Sequence, residues 1–168
     1  MLPASSLELD LAPQWGAIRP TWEPCHEALS RGGLSADETY ALCMVAQELL
    51  ENAVKYGDDA AGQPVHLSIQ VAPAEVTIEV KNRVVSDDAQ LHRFDQAVQW
   101  LRGFQDPFEA YVERLKLVSA ESYRGGQSGL GLARIAYEAK CLVDFYVDEL
   151  GTLAVSAVYP RTGWPELA

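Results

Sequence analysis

A chain of 168 residues with 48% hydrophobic content has the size of one domain with a full core, and needs no disulfide or structural metal to fold. Its 24 acidic residues against 13 basic ones give a formal net charge of -11, so a nucleic acid would meet repulsion in place of counterion release. No basic-then-apolar leader opens the sequence, and no apolar run nears the roughly 20 residues that span a bilayer, which predicts a soluble cytoplasmic protein without membrane contact.

Residues 1–33 hold one strand pattern, Leu7 to Leu11, in an otherwise proline-broken stretch. They are expected to form an N-terminal extension that serves either as an edge strand or as a homodimer contact, while residues 34–168 read as a single domain. Ser35 with Glu38 three residues later is a capping-box pattern, opening a helix that runs to about Tyr56 and stops at Gly57. Leu42, Ala46, Leu49, Ala53 and Tyr56 form its buried stripe. Glu48, Asn52 and Lys55 follow the i, i+4, i+7 rule, on a face roughly 110° from that stripe, where a pocket wall belongs.

Val65, Leu67, Ile69 and Val71 alternate with polar residues, as do Val76, Ile78 and Val80, predicting a strand pair whose second member ends at Asn82. Residues 88–119 carry helical patterning on both sides of Pro107, anchored by Leu101, Phe104, Phe108, Tyr111 and Leu115, and read as two helices. A break at Gly125-Gly126 follows. Then come a helix from Leu130 to Lys140 and two strands, Leu142–Val147 and Leu153–Tyr159, turning at Glu149-Leu150-Gly151. Helices on one face of a mixed sheet make an α+β two-layer sandwich.

Cys25, Cys43 and Cys141 match neither a disulfide framework nor a zinc spacing and read as buried free thiols. His26, His66 and His92 lie apart, and no Ser-His-Asp or Cys-His constellation follows from spacing. Trp15, Trp22, Trp100 and Trp164 read as packing residues.

Two segments carry chemistry. A Mg2+ ion takes hard oxygen ligands and keeps several waters, so one oxygen from Asn52 with nucleotide phosphates completes its shell. Glu48, one turn earlier, is placed to accept a proton from an attacking hydroxyl or water, and Lys55 offsets phosphate charge. On this motif alone an ordinary solvated helix face is an equal alternative. The second segment, Gly126-Gln127-Ser128-Gly129-Leu130-Gly131-Leu132, lets backbone approach phosphates and runs into a helix start with unpaired N–H groups and a positive dipole end. It lacks the Lys-Ser or Lys-Thr of a P-loop and follows no parallel dinucleotide-binding unit.

In this order, with two strands between, the segments resemble a known superfamily. Glu48-x-x-x-Asn52-Ala53-x-Lys55-Tyr56 looks like the asparagine box of the GHKL ATP-binding proteins, which include histidine kinases, anti-sigma-factor kinases and gyrase. Gly126-x-x-Gly129-Leu130-Gly131-Leu132 looks like their second glycine box, and Gly151-Thr152 resembles the small-residue pair near the adenine. The resemblance covers about residues 35–160. It implies the Bergerat two-layer sandwich binding ATP and Mg2+ under a lid near residues 84–125. It also implies Asn52 as metal ligand, Glu48 as base, and Lys55, Arg124, Gly126, Gly129, Leu130, Gly131 and Thr152 as ATP contacts.

One box departs. Where the superfamily has Asp-x-Gly-x-Gly, with the Asp accepting from the adenine amino group, this chain has Asn82-Arg83-Val84-Val85; Asn82 can accept through its amide oxygen but carries no charge. That asparagine, a helical insert in place of a glycine lid, and the run from Arg124 to Ala136 are most similar to the SiaB-like bacterial kinases. The resemblance implies a Ser/Thr protein kinase of a partner-switching pathway that phosphorylates a small STAS-like partner. The alternative is a catalytically silent binding module that sequesters a protein partner. With some 47 residues ahead of Glu48 in this sequence, the helical hairpin of a histidine kinase is not expected.

Overall fold

The computed structural model describes residues 4–57, 62–83 and 130–161, and between 84 and 129 only positions 92, 95, 96, 99, 100, 109, 112 and 113. The two helices expected within 88–119 therefore lie largely outside the described residues. In chain order the elements are β1 (Ser5–Leu11), two 3-10 turns (Trp15–Ala17 and Arg19–Thr21), α1 (Trp22–Arg31), α2 (Ala36–Tyr56), β2 (Val65–Val71), β3 (Glu75–Arg83), α3 (Leu130–Tyr137), β4 (Leu142–Val147) and β5 (Thr152–Pro160).

The longest described helix, α2, begins as its sequence dictates. Ser35 Oγ accepts from the Glu38 N–H at 3.2 Å, and Glu38 Oε2 accepts from the Ser35 N–H at 2.7 Å, closing the capping box. Such a cap contributes about 1 kcal/mol. Asp37 and Glu38 in the first turn and Lys55 in the last both suit the helix dipole. Leu42, Ala46, Leu49 and Ala53 are buried as the stripe requires. The Tyr159 hydroxyl donates to Glu38 Oε1 at 2.8 Å, tying the end of β5 to the start of α2.

Ahead of α2, the proline-broken stretch contains the ten-residue helix α1, with Cys25, Ala28 and Leu29 buried. Pro24 is its third residue, inside the first turn where backbone N–H groups have no helical partner, so the ring costs no hydrogen bond. Gln47 Nε2 on α2 donates to Thr21 Oγ1 at 2.8 Å and to the Ile18 carbonyl at 3.3 Å, and Trp22 packs edge-to-face on Tyr40 with centroids 5.5 Å apart. Trp15, read as a packing residue, is instead 58% exposed.

The sheet has the order β1-β2-β3-β5-β4. Every pairing is antiparallel, so the expected mixture of strand directions is corrected. The helical connection after β3 does return β4 in the direction of β3, but β5 inserts between them and no parallel neighbours result. One face, with Leu67, Ile69, Val76, Ile78, Val80, Leu153 and Ala157, is buried in a single core with α1, α2 and α3. Each fully buried side chain of this size contributes about 1.5–3 kcal/mol. The other face carries rungs such as Asp10-His66-Lys81-Ala154-Tyr146 and Glu8-Ser68-Glu79-Ser156-Asp144. Two layers, helices over one sheet face, are the α+β sandwich the patterning implied.

Two turns fix the far edge. Expected to reach Lys140, α3 stops at Tyr137, because Lys140 adopts φ 54 and the Ala139 and Cys141 N–H groups bond back to the Arg134 and Ile135 carbonyls. In the β4–β5 turn Gly151 has φ 81, and Asp148 Oδ1 accepts from both the Leu150 and Thr152 N–H groups at 2.9 Å. Among the described residues, no helix is long and apolar enough to cross a membrane.

Candidate functional site

Glu48, Asn52 and Lys55 lie on the fourth to sixth turns of α2, all half-buried at the margin of the core. Burial, and then Glu51, push the Glu48 carboxyl above its ordinary value; Arg134 opposes the rise, Glu138 adds to it and Lys55 opposes it. Burial pulls Lys55 below the usual lysine value, with Glu48 and Glu51 working against that. Among the described residues no hydrogen bond engages the Asn52 amide, so its oxygen is uncommitted.

Across from this face stands α3. Its Arg134 reaches Glu48 Oε1 through Nη1 at 3.5 Å, Met44 Sδ through Nη2 at 3.2 Å and Glu138 Oε2 through Nε at 3.4 Å. Leu130 and Gly131 are the first residues of α3, whose first turn contains no acidic residue. Arg124, Gly126 and Gly129 lie outside the described residues.

At the end of β3, Asn82 is buried at 6% exposure. Its Nδ2 donates to the Ala53 carbonyl at 3.2 Å, with a longer contact to the Arg83 carbonyl at 3.5 Å. Ala53 lies in the last turn of α2, where carbonyls have no helical donor, so Asn82 is a side-chain cap of that helix end. Two carbonyl neighbours fix the amide orientation, leaving Oδ1 as its acceptor. Gly57 passes so close that a Cβ there would stand 2.6 Å from the Ala53 carbonyl oxygen and 3.0 Å from Asn82 Nδ2. Thr152 pairs with Arg83 across the β3–β5 ladder, next to the Asn82 rung. The fold thus brings Asn52 and Ala53 of α2 and Asn82 of β3 together at one end of the sheet, whereas Thr152 of β5, paired with Arg83, stands at the same end on the alternate face of the sheet.

The donor set suits Mg2+ held mainly by a ligand. Among the described residues no group of three His, Cys, Asp or Glu side chains is arranged to hold a metal. A single uncommitted amide oxygen one turn from a carboxylate fits an ion that takes most of its oxygens from phosphates and water. The remaining titratable candidates are elsewhere: His66 Nδ1 contacts Asp10 Oδ1 at 2.7 Å on the open sheet face, and all three thiols are buried.

Sequence reasoning did not single out Arg134. Its only local signal is the i, i+4 spacing to Glu138, which reads as an ordinary surface pair; the reach to Glu48 spans 86 residues and belongs to tertiary structure.

An antiparallel sheet under helices, with Glu48 of α2 reached by Arg134 of α3, defines a two-layer α+β sandwich with a polar cluster at the margin of its core. Residues 13–137 match the histidine kinase-like ATPase domain, well over half of the chain, and the protein belongs to that ATP-binding family. No curated protein matches the sequence. Among solved structures, a chain of the SiaB–SiaC complex from Pseudomonas aeruginosa is similar, with TM-score 0.61 and 18% identity, covering 91% of this chain and 88% of that one. At that identity the likeness is one of fold.

Proposed function

We propose that this protein is a cytoplasmic, Mg2+-dependent Ser/Thr protein kinase of a partner-switching pathway, transferring the γ-phosphoryl group of ATP to a hydroxyl on a small STAS-like protein. The observation that carries the proposal is the convergence of Glu48 and Asn52 on one α2 face with Arg134 of α3, because it sets a proton acceptor beside the helix that follows the glycine segment.

In the reaction the hydroxyl oxygen bonds to the γ-phosphorus, the bond to ADP breaks, and the hydroxyl proton passes to the Glu48 carboxylate. Burial makes that carboxylate a stronger proton acceptor than an exposed one. Lys55 offsets phosphate charge, and Gly126, Gly129, Leu130 and Gly131, with Arg124, contact the phosphates. When bound by Asn52, Mg2+ supplies neutralisation of the phosphate charge. Asn82 Oδ1 accepts from the adenine amino group, and Thr152, one rung further along at the strand end, is the ATP contact of β5. A protein substrate is favoured by the likeness to a chain that stands in a complex of two proteins.

A second reading, a silent module that sequesters its partner, draws on Asn82, whose amide hydrogens are committed to the end of α2 where the superfamily has an Asp. The two separate on one assay: γ-32P-ATP and Mg2+ are incubated with a STAS-like protein and either wild type or Glu48→Gln. Label in the partner that Glu48→Gln abolishes is the expected result; a stable complex with no label under any condition overturns the kinase reading in favour of the module.

A further inference from the structure

We infer that Arg134 is a positioning residue for the Glu48 carboxylate, coupling the helix that opens on the glycine segment to the base on α2; the inference rests on the reading of Glu48 as proton acceptor. Arg134 is held on three sides. Glu138, one turn later on its own helix, takes Nε; Met44, one turn before Glu48 on α2, meets Nη2; and Nη1 points to Glu48 Oε1. A guanidinium gripped at both edges presents a fixed donor, so one oxygen of Glu48 is tethered. Among the described residues no hydrogen bond engages Oε2, which is left to take a proton.

The charges that face Glu48 are Glu51 and Lys55 on its own helix and Arg134 and Glu138 across from it. Burial, Glu51 and Glu138 disfavour ionisation of Glu48, and Arg134, with Lys55, opposes them while its Nη1 aims the carboxylate. The side chains of Arg134 and Glu48 are 35% and 20% exposed, so their attraction is less screened than that of a surface pair. Arg134 stands four residues into α3, about 6 Å along the axis from its first residue.

The test is single-turnover hydrolysis of γ-32P-ATP with Mg2+ by the full chain as wild type, Glu48→Gln, Arg134→Ala, Arg134→Lys and the Glu48→Gln/Arg134→Ala double variant. ATP affinity and thermal midpoint are measured for each. Arg134→Ala is expected to slow turnover roughly 10- to 100-fold while changing the ATP Kd by less than about 2-fold, the signature of a misaligned base. Arg134→Lys, which keeps the charge but loses the fork, recovers part of the rate, and Arg134→Ala adds nothing to the loss in Glu48→Gln. Unchanged turnover in Arg134→Ala beside a slow Glu48→Gln overturns the inference and leaves the base reading standing. So does a loss of ATP affinity as large as the loss of rate, which makes Arg134 a phosphate contact, or an additive double variant. Wild-type rates in Glu48→Gln, or no turnover by wild type either alone or with a STAS-like acceptor protein added, overturn the base reading and this inference with it.

Discussion

Replacing Asn82 by the aspartate common in the superfamily should damage this particular fold. Asn82 is buried, and its Nδ2 supplies the donor for the Ala53 carbonyl at 3.2 Å, with the Arg83 carbonyl at 3.5 Å beyond it. In Asn82→Asp an anionic oxygen faces both carbonyls. The loss of the hydrogen bond costs about 1 kcal/mol, and leaving the Ala53 carbonyl opposite another acceptor costs a further 1–3 kcal/mol or so. A total of about 3 kcal/mol lowers the melting temperature of a chain this size by roughly 6–12 °C. Asn82→Ala, which removes the donor without adding charge, should lose less. The sign with pH follows: the unfavourable surroundings raise the folded-state pKa of the introduced carboxyl, so the deficit is largest above that pKa and shrinks as acidification protonates the group and restores a donor. Thermal melts of wild type, Asn82→Asp and Asn82→Ala at pH 7 and pH 5 check this. An Asn82→Asp protein as stable as wild type at pH 7, or one whose deficit ignores pH, refutes the reasoning. An asparagine can serve the helix end with its amide hydrogens and an adenine amino group with its oxygen; an ionised aspartate can do only the second.

Other expectations follow from single residues. Thr39 is fully buried on α2 and its hydroxyl is the one described buried side-chain oxygen without a hydrogen-bond partner, so Thr39→Val should raise stability by about 1 kcal/mol in denaturant titration. The Ser35 backbone N–H, opposed by burial and aided by the Tyr159 and Ser35 hydroxyls and by Arg161, holds the Glu38 carboxyl below its ordinary value. Its stabilising contribution is complete above the ordinary glutamate value of 4.5 and is lost as pH falls through the depressed one, so Glu38→Gln should flatten the acid limb of the stability curve. Burial pushes the thiols of Cys25 and Cys141 up to about 12 and that of Cys43 to about 11, so a thiol reagent should find none reactive in the native protein at pH 7 and all three after denaturation.

Legibility in the sequence tracks how local each feature is. The α2 helix, with its capping box and its Gly57 stop, was readable because the signals lie within a few residues of what they control. β2 and β3 were readable because alternation survives where one sheet face is buried and the other is open. α1 was hidden by prolines whose harmlessness depends on which helical position they occupy. Strand directions are not legible in local pattern, because the placement of β5 between β3 and β4 is a tertiary choice. At the site, Glu48, Asn52 and Lys55 could be grouped by helical spacing. The grip of Arg134 on Glu48 and the capping of α2 by Asn82 join residues 86 and 29 positions apart and leave no mark in local pattern.

The central claim, that the asparagine face of α2 holds a metal–nucleotide complex, is tested most directly by calorimetric titration of ATP into wild type and Asn52→Ala with and without Mg2+. Asn52 is half-buried with no described hydrogen bond, so its substitution should leave the melting temperature nearly unchanged while removing one metal ligand. The account predicts binding by wild type that requires Mg2+ and weakens at least about tenfold, roughly 1.4 kcal/mol, in Asn52→Ala. Equal affinity in the two proteins, or binding indifferent to Mg2+, contradicts it.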